Sequence, residues 1–360
     1  MDFNIDIILI SIIIIWLVII GFTGLLLLYK RFMEWGFKQL EYKRYFSKEG
    51  AFEGESVYFI EEMTNRFFLT FREIDVESHI SAGIKLEGCD SEDEMIQHFI
   101  STFTIKPFTK IKRVHKATCV KRGHYILESA SIEYAGKDVF IDSKYEFKIY
   151  PKETPIEKKE SLNMYLQYSN YSRYPIIEDV FSVNGIREYG YGDAMSRINH
   201  KATAKAGKLM VNTNDYVLGR KIMIYLNFQM IEDNYMPIYI YQEHMENALS
   251  YVAHLIGECE RSGFMFGFAC NSRFTYGGRR AHFPMSTGYN AYIDILNTLA
   301  CVRAAEGDSI LPLLDKEIDE NISNAEVFFF TLRVDDSVNA RLDMLENMGN
   351  VVTVVKIDEV

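Results

Sequence analysis

The chain has 360 residues, enough for two ordinary domains and an appendage, and its make-up (48% hydrophobic, 25% charged, 7 prolines) is that of a folded protein. A net charge of −11 argues against nucleic acid as a partner, because phosphate binding needs a concentrated basic face to overcome that repulsion. The 5 cysteines (Cys89, Cys119, Cys259, Cys270 and Cys301) are odd in number and show no CxxC pair or other metal-ligand spacing, which points to reduced thiols in a cytoplasmic environment.

The first element in the chain is an uncharged run from Ile7 to Tyr29, IILISIIIIWLVIIGFTGLLLLY. As a helix it is roughly 34 Å long, enough to cross a hydrocarbon core of about 30 Å. A cleaved signal peptide fits less well: the run is too long, no basic residue precedes it and no small-residue cleavage site follows. Asp2 and Asp6 lie before it, and Lys30, Arg31, Lys38, Lys43 and Arg44 after it. By the positive-inside rule this places the N-terminus outside and the rest of the chain in the cytoplasm, a single-pass cell-membrane topology. Residues 30–50 mix Phe32, Trp35, Phe37, Tyr42 and Tyr45 with basic residues and read as a juxtamembrane helix, either lying at the lipid headgroups or docked on the domain that follows.

Over residues 51–155 the pattern changes to short alternating segments, among them SVYFIEEMT, TKIKRVHKATCV, HYILESASIEY and KYEFKIYP. Partial period-two patterning with many β-branched and aromatic residues predicts a small β-sandwich, a module that presents surfaces rather than chemistry. Residues 156–220 form a linker that ends in a polar, glycine-containing stretch. From 221 to 360 strands and helices alternate. KIMIYLNF, FMFGFA, AEVFFFTL and VVTVV read as strands, and Met245–Cys259, Tyr292–Val302 and Val338–Met348 as helices, the first and last stopped by Gly263 and Gly349. RFTYGGRRAHF reads as a hairpin about a Gly-Gly turn. The expected domain is α/β, a mostly parallel sheet with helices on both faces.

The stretch IREYGYGDAMSRINHKATAKAGKLMVN, Ile186 to Asn212, concentrates glycines, tyrosines, cations, Asp193 and His200. Gly190 and Gly192 suit the positive φ angles of a tight turn, Asp193 can accept from backbone N–H groups or from Arg187, and the following residues can form a short helix stopped by Gly207. Two structural roles remain open: a brace between the β-module and the α/β domain, or a brace that also presents a basic surface of Arg197, His200, Lys201, Lys205 and Lys208. A catalytic reading would pair Asp193 with His200 as acid and base, with Arg187 or Arg197 holding an anionic substrate. Against it, the chain has no G-x-S-x-G nucleophile motif, and GYGD lacks the ending of a phosphate-cradling loop. Elsewhere, GGRRAH (Gly277 to His282) reads as an exposed hairpin tip. Asp335 and Asp336 read as helix N-terminal residues opposing the macrodipole. The scattered histidines, including His115, His124 and His254, show no ligand spacing on a shared face.

This stretch resembles the signature of domain-of-unknown-function family fifty-eight, bacterial membrane proteins with a von Willebrand factor type A-like domain. Arg187, Tyr189, Gly192, Asp193, Arg197, Ile198 and Ala204 match its pattern at the right spacing, while Ser196, His200 and Lys205 replace the arginine, tryptophan and arginine usual there. RGHYIL and FKIYP resemble the family's β-module, but a single span stands where the family commonly has a two-helix hairpin. The resemblance implies a membrane-bound assembly factor working with a MoxR-type AAA ATPase as its protein partner, without an agreed enzymatic activity. Domains of this type that hold Mg²⁺ use a D-x-S-x-S loop after the first strand. Here Asn227, Gln229 and Ile231 take those places, and neutral amides and an isoleucine cannot supply the charge, so no metal and no cofactor is expected there. The sequence therefore points to a non-enzymatic membrane-anchored adaptor. The alternative is a membrane-tethered hydrolase or transferase acting on envelope precursors.

Overall fold

The computed structural model of the protein describes residues 2–87, 96–134, 137–155, 176–190, 193–218, 220–230, 236–272, 281–305 and 307–359. Cys89, Gly192, Ile231 and the Gly-Gly tip at 277–278 lie outside them. The fold is mixed α/β and divides into two compact units, Met1–Ile149 and Tyr150–Val360.

The first unit opens with helix α1 (Asp2–Phe37). Within its stretch Ile13–Phe37, an 18-residue window has a mean hydropathy of 2.3 and no buried residue, so the helix is long and apolar enough to cross a membrane. The strands that follow are β1 (Leu40–Phe46), β2 (Gly50–Phe52), β3 (Ser56–Asn65), β4 (Phe71–Ser81), β5 (Ile84–Leu86), β6 (Ile96–Ile105), β7 (Lys110–Cys119), β8 (Gly123–Tyr134) and β9 (Lys137–Tyr150). They form a four-stranded sheet in the order β1-β3-β7-β5 and a five-stranded sheet in the order β2-β9-β8-β4-β6. Alternate residues of both sheets face inward, as in β6, where Gln97, Phe99, Ser101, Phe103 and Ile105 are buried. One apolar cluster joins Phe46, Phe59 and Ile84 to Phe99, Leu127 and Phe147, and a second joins Leu40 and Met63 to Phe71, Val76, Phe103 and Ile132, so the two sheets share their core as a sandwich does.

Between these clusters lies a buried polar layer. Glu61, with no exposed surface, accepts from Tyr42 Oη at 2.6 Å and Ser101 Oγ at 2.7 Å and lies 3.1 Å from His115 Nε2. Arg44, 3% exposed, donates to Ser78 Oγ at 2.9 Å. Burial first, then the neighbouring Glu61 charge, raises the Tyr42 hydroxyl pKa, which keeps it a donor.

The juxtamembrane expectation needs correction. Helix continues only to Phe37, and the next residues form β1, whose burial alternates from Leu40 to Phe46 as it pairs with β3. The aromatic and basic residues of 40–46 are a strand's inward and outward sets rather than an interfacial helix. The end of α1 itself docks on this unit: Phe32 and Trp35 lie 5.3 and 5.4 Å from Phe67 between ring centroids, and Phe32 lies 5.7 Å from Phe68. Gly36 is required there, since a Cβ would sit 2.4 Å from the Phe67 ring.

The second unit contains β10 (Ile176–Glu188) and β11 (Met210–Leu218), which pair antiparallel, with a short helix α2 (His200–Ala206) between them. Then come β12 (Lys221–Leu226), α3 (Ile238–Arg261), β13 (Met265–Cys270), β14 (Ala281–Ser286), α4 (Tyr289–Cys301), α5 (Leu311–Asp319), β15 (Glu326–Thr331), α6 (Asp336–Asn347) and β16 (Val351–Lys356). The sheet order is β14-β13-β12-β15-β16, parallel throughout except for the antiparallel edge strand β14. The second arm of the expected 273–283 hairpin is therefore an edge strand of the main sheet, paired with β13. Central strands β12 and β15 are buried on both faces, which is why they read as unbroken apolar runs. Met223, Tyr225, Val327 and Phe329 pack under α5 and α6, while α3 contacts β12 and β13 on the other side.

The unit boundary also shifts from the expected residue 155. Glu153 accepts from Tyr292 Oη at 3.0 Å and pairs with Arg261 at 3.4 Å, so the chain joins α3 and α4 from Tyr150 on. Asp335 caps α6 by accepting from Val338 N at 2.7 Å. At the start of the sheet, Arg220 grips Glu326 with Nε–Oε1 3.0 Å and Nη2–Oε2 2.7 Å, the two side chains only 6% and 3% exposed, and its guanidinium lies 4.9 Å from the centre of the Phe264 ring.

Arg220→Met removes a buried bidentate partner and is expected to destabilise the second unit by about 3–5 kcal/mol. The two tryptophans, Trp16 and Trp35, lie in α1 and do not report on this unit. Amide hydrogen exchange of β12 and β15 is therefore the measurement, with faster exchange expected there and unchanged protection in β3 and β7.

Candidate functional site

Two places in the second unit carry the residues singled out by the sequence. The first is the connection between β10 and β11. Paired as Arg187↔Val211 and Glu188↔Met210, the strands hand over to a turn that Tyr189 N closes onto Leu209 O at 2.9 Å. Arg187 then forks onto Asp193, Nη1–Oδ2 2.7 Å and Nη2–Oδ1 2.6 Å. The same carboxylate accepts from Gly190 N at 2.7 Å, and Tyr189 Oη donates to Asp193 O at 3.2 Å.

Gly190 serves this turn through its N–H. Its φ is not positive, so the expected left-handed conformation is absent there. The Arg187 fork, followed by the Gly190 N–H, lowers the Asp193 pKa to about 2.

After Asp193 the chain makes a 3₁₀ turn, Met195–Arg197, and Ile198 bridges back to Val211. Asn199 caps α2 by accepting from Ala202 N at 2.9 Å and donates to Asn212 Oδ1 at 2.8 Å. Gly207, at φ 68, ends the helix in the left-handed conformation a C-cap requires. Met210 N donates to Thr203 Oγ1 at 3.0 Å, tying the helix to β11.

His200, Lys201, Lys205 and Lys208 are exposed, and Arg197 is half-buried. Lys208 pairs with Glu188 at 2.7 Å. Among the described residues no hydrogen bond joins Asp193 to His200, whereas Arg187 and Asp193 are brought together closely. All these contacts lie within the second unit.

The second place is the C-terminal edge of the main sheet, where β12, β13 and β15 end side by side. Asn227 Oδ1 accepts from Gln229 N at 3.0 Å and Asn271 Nδ2 at 2.8 Å, and its Nδ2 donates to Thr331 Oγ1 at 3.2 Å. Asn271 in turn accepts from Phe228 N at 2.7 Å, and Ser272 Oγ donates to Arg303 O at 2.7 Å. Asn227 is 4% exposed and Asn271 and Thr331 are fully buried. Amides and hydroxyls thus stitch three strand ends together. A cleft beside them is lined by Gln229, Met236, Tyr241, Arg333 and Asp358.

Sequence reading passed over Asn271, Ser272 and Thr331. The available signal was polar residues directly after the buried strands FMFGFAC and EVFFFT. It also passed over a histidine pair: His79 and His98 face each other across β4 and β6, so histidines at ligand spacing do share a face.

No family model matches the chain, and no curated protein matches it. Among solved structures, the chain is similar to the CARDB domain of the PF1109 protein from Pyrococcus furiosus (10% identity, TM-score 0.24, covering 31% of this chain and 91% of that one). It is also similar to alpha-2-macroglobulin of E. coli (10% identity, TM-score 0.25, 45% of this chain and 8% of that one) and to a non-cellulosomal cohesin from Archaeoglobus fulgidus (12% identity, TM-score 0.21, 34% and 96%). Likenesses at these scores carry no functional argument.

The Asp193 pKa gives a sign-defined test. Because it is depressed in the folded chain, the stability it confers is complete above the ordinary carboxylate value of 3.8 and is lost as pH falls toward about 2. A carboxyl NMR titration should place Asp193 near 2, and Arg187→Ala should return it toward 3.8.

Proposed function

We propose that the protein is a non-enzymatic, membrane-anchored adaptor whose second unit is a von Willebrand factor A-like domain that recruits a protein partner, a MoxR-type AAA ATPase of the kind implied by the signature at Arg187–Ala204. A central strand β12 with β13 and β14 to one side and β15 and β16 to the other, β14 alone antiparallel, is the doubly wound pattern this reading needs. The observation that carries the adaptor reading is the amide network at the sheet edge. At the place where such a domain would hold its metal, Asn227 is committed to Gln229, Asn271 and Thr331. That donor set is neutral and already satisfied, which favours a scaffold over a reaction centre. The hydrolase or transferase alternative gains nothing from Asp193, which is engaged by Arg187 and Gly190 rather than by His200.

For the anchor, α1 supplies a span with its basic flank on the domain side, which favours an outside N-terminus and cytoplasmic units. Exposed aromatic rings collect at its foot: Trp35 on the helix, Phe68 beside it, and Phe108, whose N–H donates to Phe67 O at 3.3 Å. Such a collar suits the lipid headgroup level, where aromatic rings are favoured.

Two outcomes are expected. Full-length protein solubilised from native membranes should co-purify with an AAA ATPase, and Lys201→Glu with Lys205→Glu should reduce its recovery; repeated absence of any ATPase would sink the adaptor reading. In nanodiscs, lipids brominated deep in the chain should quench Trp16, and lipids quenching near the headgroup should quench Trp35. A Trp16 that no lipid quenches would remove the span.

A further inference from the structure

A group of three metal-ligating side chains stands on the outer face of the five-stranded sheet of the first unit. In the antiparallel pairing of β4 with its edge strand β6, His79 lies directly opposite His98. Glu77 precedes His79 by two residues and so shares its face. Glu77 Oε1 is 3.1 Å from His98 Nδ1 and 3.4 Å from His79 Nε2, and one ligand atom from each residue lies within 4.8 Å of the others. The two imidazole planes stand at 89° with centroids 4.7 Å apart, so their nitrogens approach a common point from different directions.

These distances fit a first-row divalent ion. With metal–nitrogen and metal–oxygen bonds of about 2.0–2.2 Å, neighbouring ligand atoms of a tetrahedral centre lie about 3.3–3.5 Å apart, the range of the two distances from Glu77 to the histidines, and the imidazoles, within 4.8 Å of each other, close the third side by side-chain rotation. The side chains are 40%, 54% and 55% exposed, so an ion can reach them without the strands opening. Rigid sheet backbone fixes all three Cα positions. The same outer face carries Asp75 opposite Glu133 one step along the pairing, and their negative charge favours a cation.

We propose that Glu77, His79 and His98 form a binding site for a divalent transition metal, Zn²⁺ in the first instance, with two imidazoles and one carboxylate as ligands and the remaining position open to water or to a group from another molecule. A second such cluster among the described residues, His282 with Glu317 and Glu320, is a poorer host. Lys316 Nζ lies 3.2 Å from His282 Nδ1 and 3.6 Å from Glu320, so an ammonium already supplies the positive charge.

The test uses tag-free, full-length protein in nanodiscs and zinc chloride as the probe. Calorimetry should give one Zn²⁺ per chain with micromolar affinity, weakened about tenfold or more by His79→Ala, His98→Ala or the isosteric Glu77→Gln, and unchanged by His282→Ala. Metal-free melting curves of the variants should match the parent. Cu²⁺ bound to the parent protein should show electron paramagnetic resonance coupling to two imidazole nitrogens, a readout independent of any variant. No binding at millimolar Zn²⁺, equal binding by the His79→Ala/His98→Ala double variant, or a copper spectrum without imidazole coupling would each overturn the site.

Discussion

The carboxylate of Glu61 is the constraint on which the first unit depends. A charge without access to water is tolerated only when hydrogen bonds replace its hydration, and those bonds come from both sheets: Tyr42 on β1, His115 on β7 and Ser101 on β6. A strand that slipped by one residue would turn Tyr42 and Arg44 to solvent and leave Glu61 buried without them. The polar layer therefore specifies the register of β1, and β1 follows α1 after only two residues. Register is passed on to the membrane end. Leu40 pairs with Asn65, whose side chain donates to Leu69 O and Lys106 O and accepts from Phe67 N, shaping the loops that set Phe67 and Phe68 against α1. A buried ion in the sandwich thus fixes where the apolar helix leaves it.

The second unit solves a different problem, since its central strands β12 and β15 are buried on both faces and alternation cannot set register there. Its sheet is pinned at each end instead. Arg220 and Glu326 lock the start of β12 to β15 in a geometry that admits one alignment, and Asn227, Asn271 and Thr331 lock the ends of β12, β13 and β15. Polar groups so placed cost desolvation and return specificity of alignment rather than much net stability. This accounts for fully buried amides at the sheet edge without invoking a ligand.

What could be read from the sequence follows from which interactions are local. The helices α3, α4 and α6 are legible because Met245, Leu249, Val252 and Ile256, and their counterparts, recur at helical spacing, with glycine stops after α3 and α6. Helix α5 escapes notice because it has only nine residues, with Pro312 near its start. Strand β1 is misread because Tyr42, Tyr45, Lys43 and Arg44 have the composition of a membrane interface; only its pairing with β3 shows that Tyr42 and Arg44 point inward. In the candidate site, Arg187 and Asp193 are six residues apart across a glycine-containing turn, close enough for their pairing to be foreseen. His79 and His98 meet only through strand register, as do Asn227 and Asn271, and nothing in one strand announces its partner in another.

The β10–β11 connection divides its side chains by function. Arg187, Tyr189, Asp193, Asn199 and Thr203 spend their hydrogen bonds on the local backbone, on one another and on Asn212 of β11, so the turn and α2 are shaped from within. His200, Lys201 and Lys205 contribute nothing to that shape and stand exposed on one seven-residue helix. In a chain of net charge −11 they form a local group of cations whose field is screened by salt. Because Arg187 and Asp193 hold the turn from within, the exposed residues on α2 can vary without disturbing the fold.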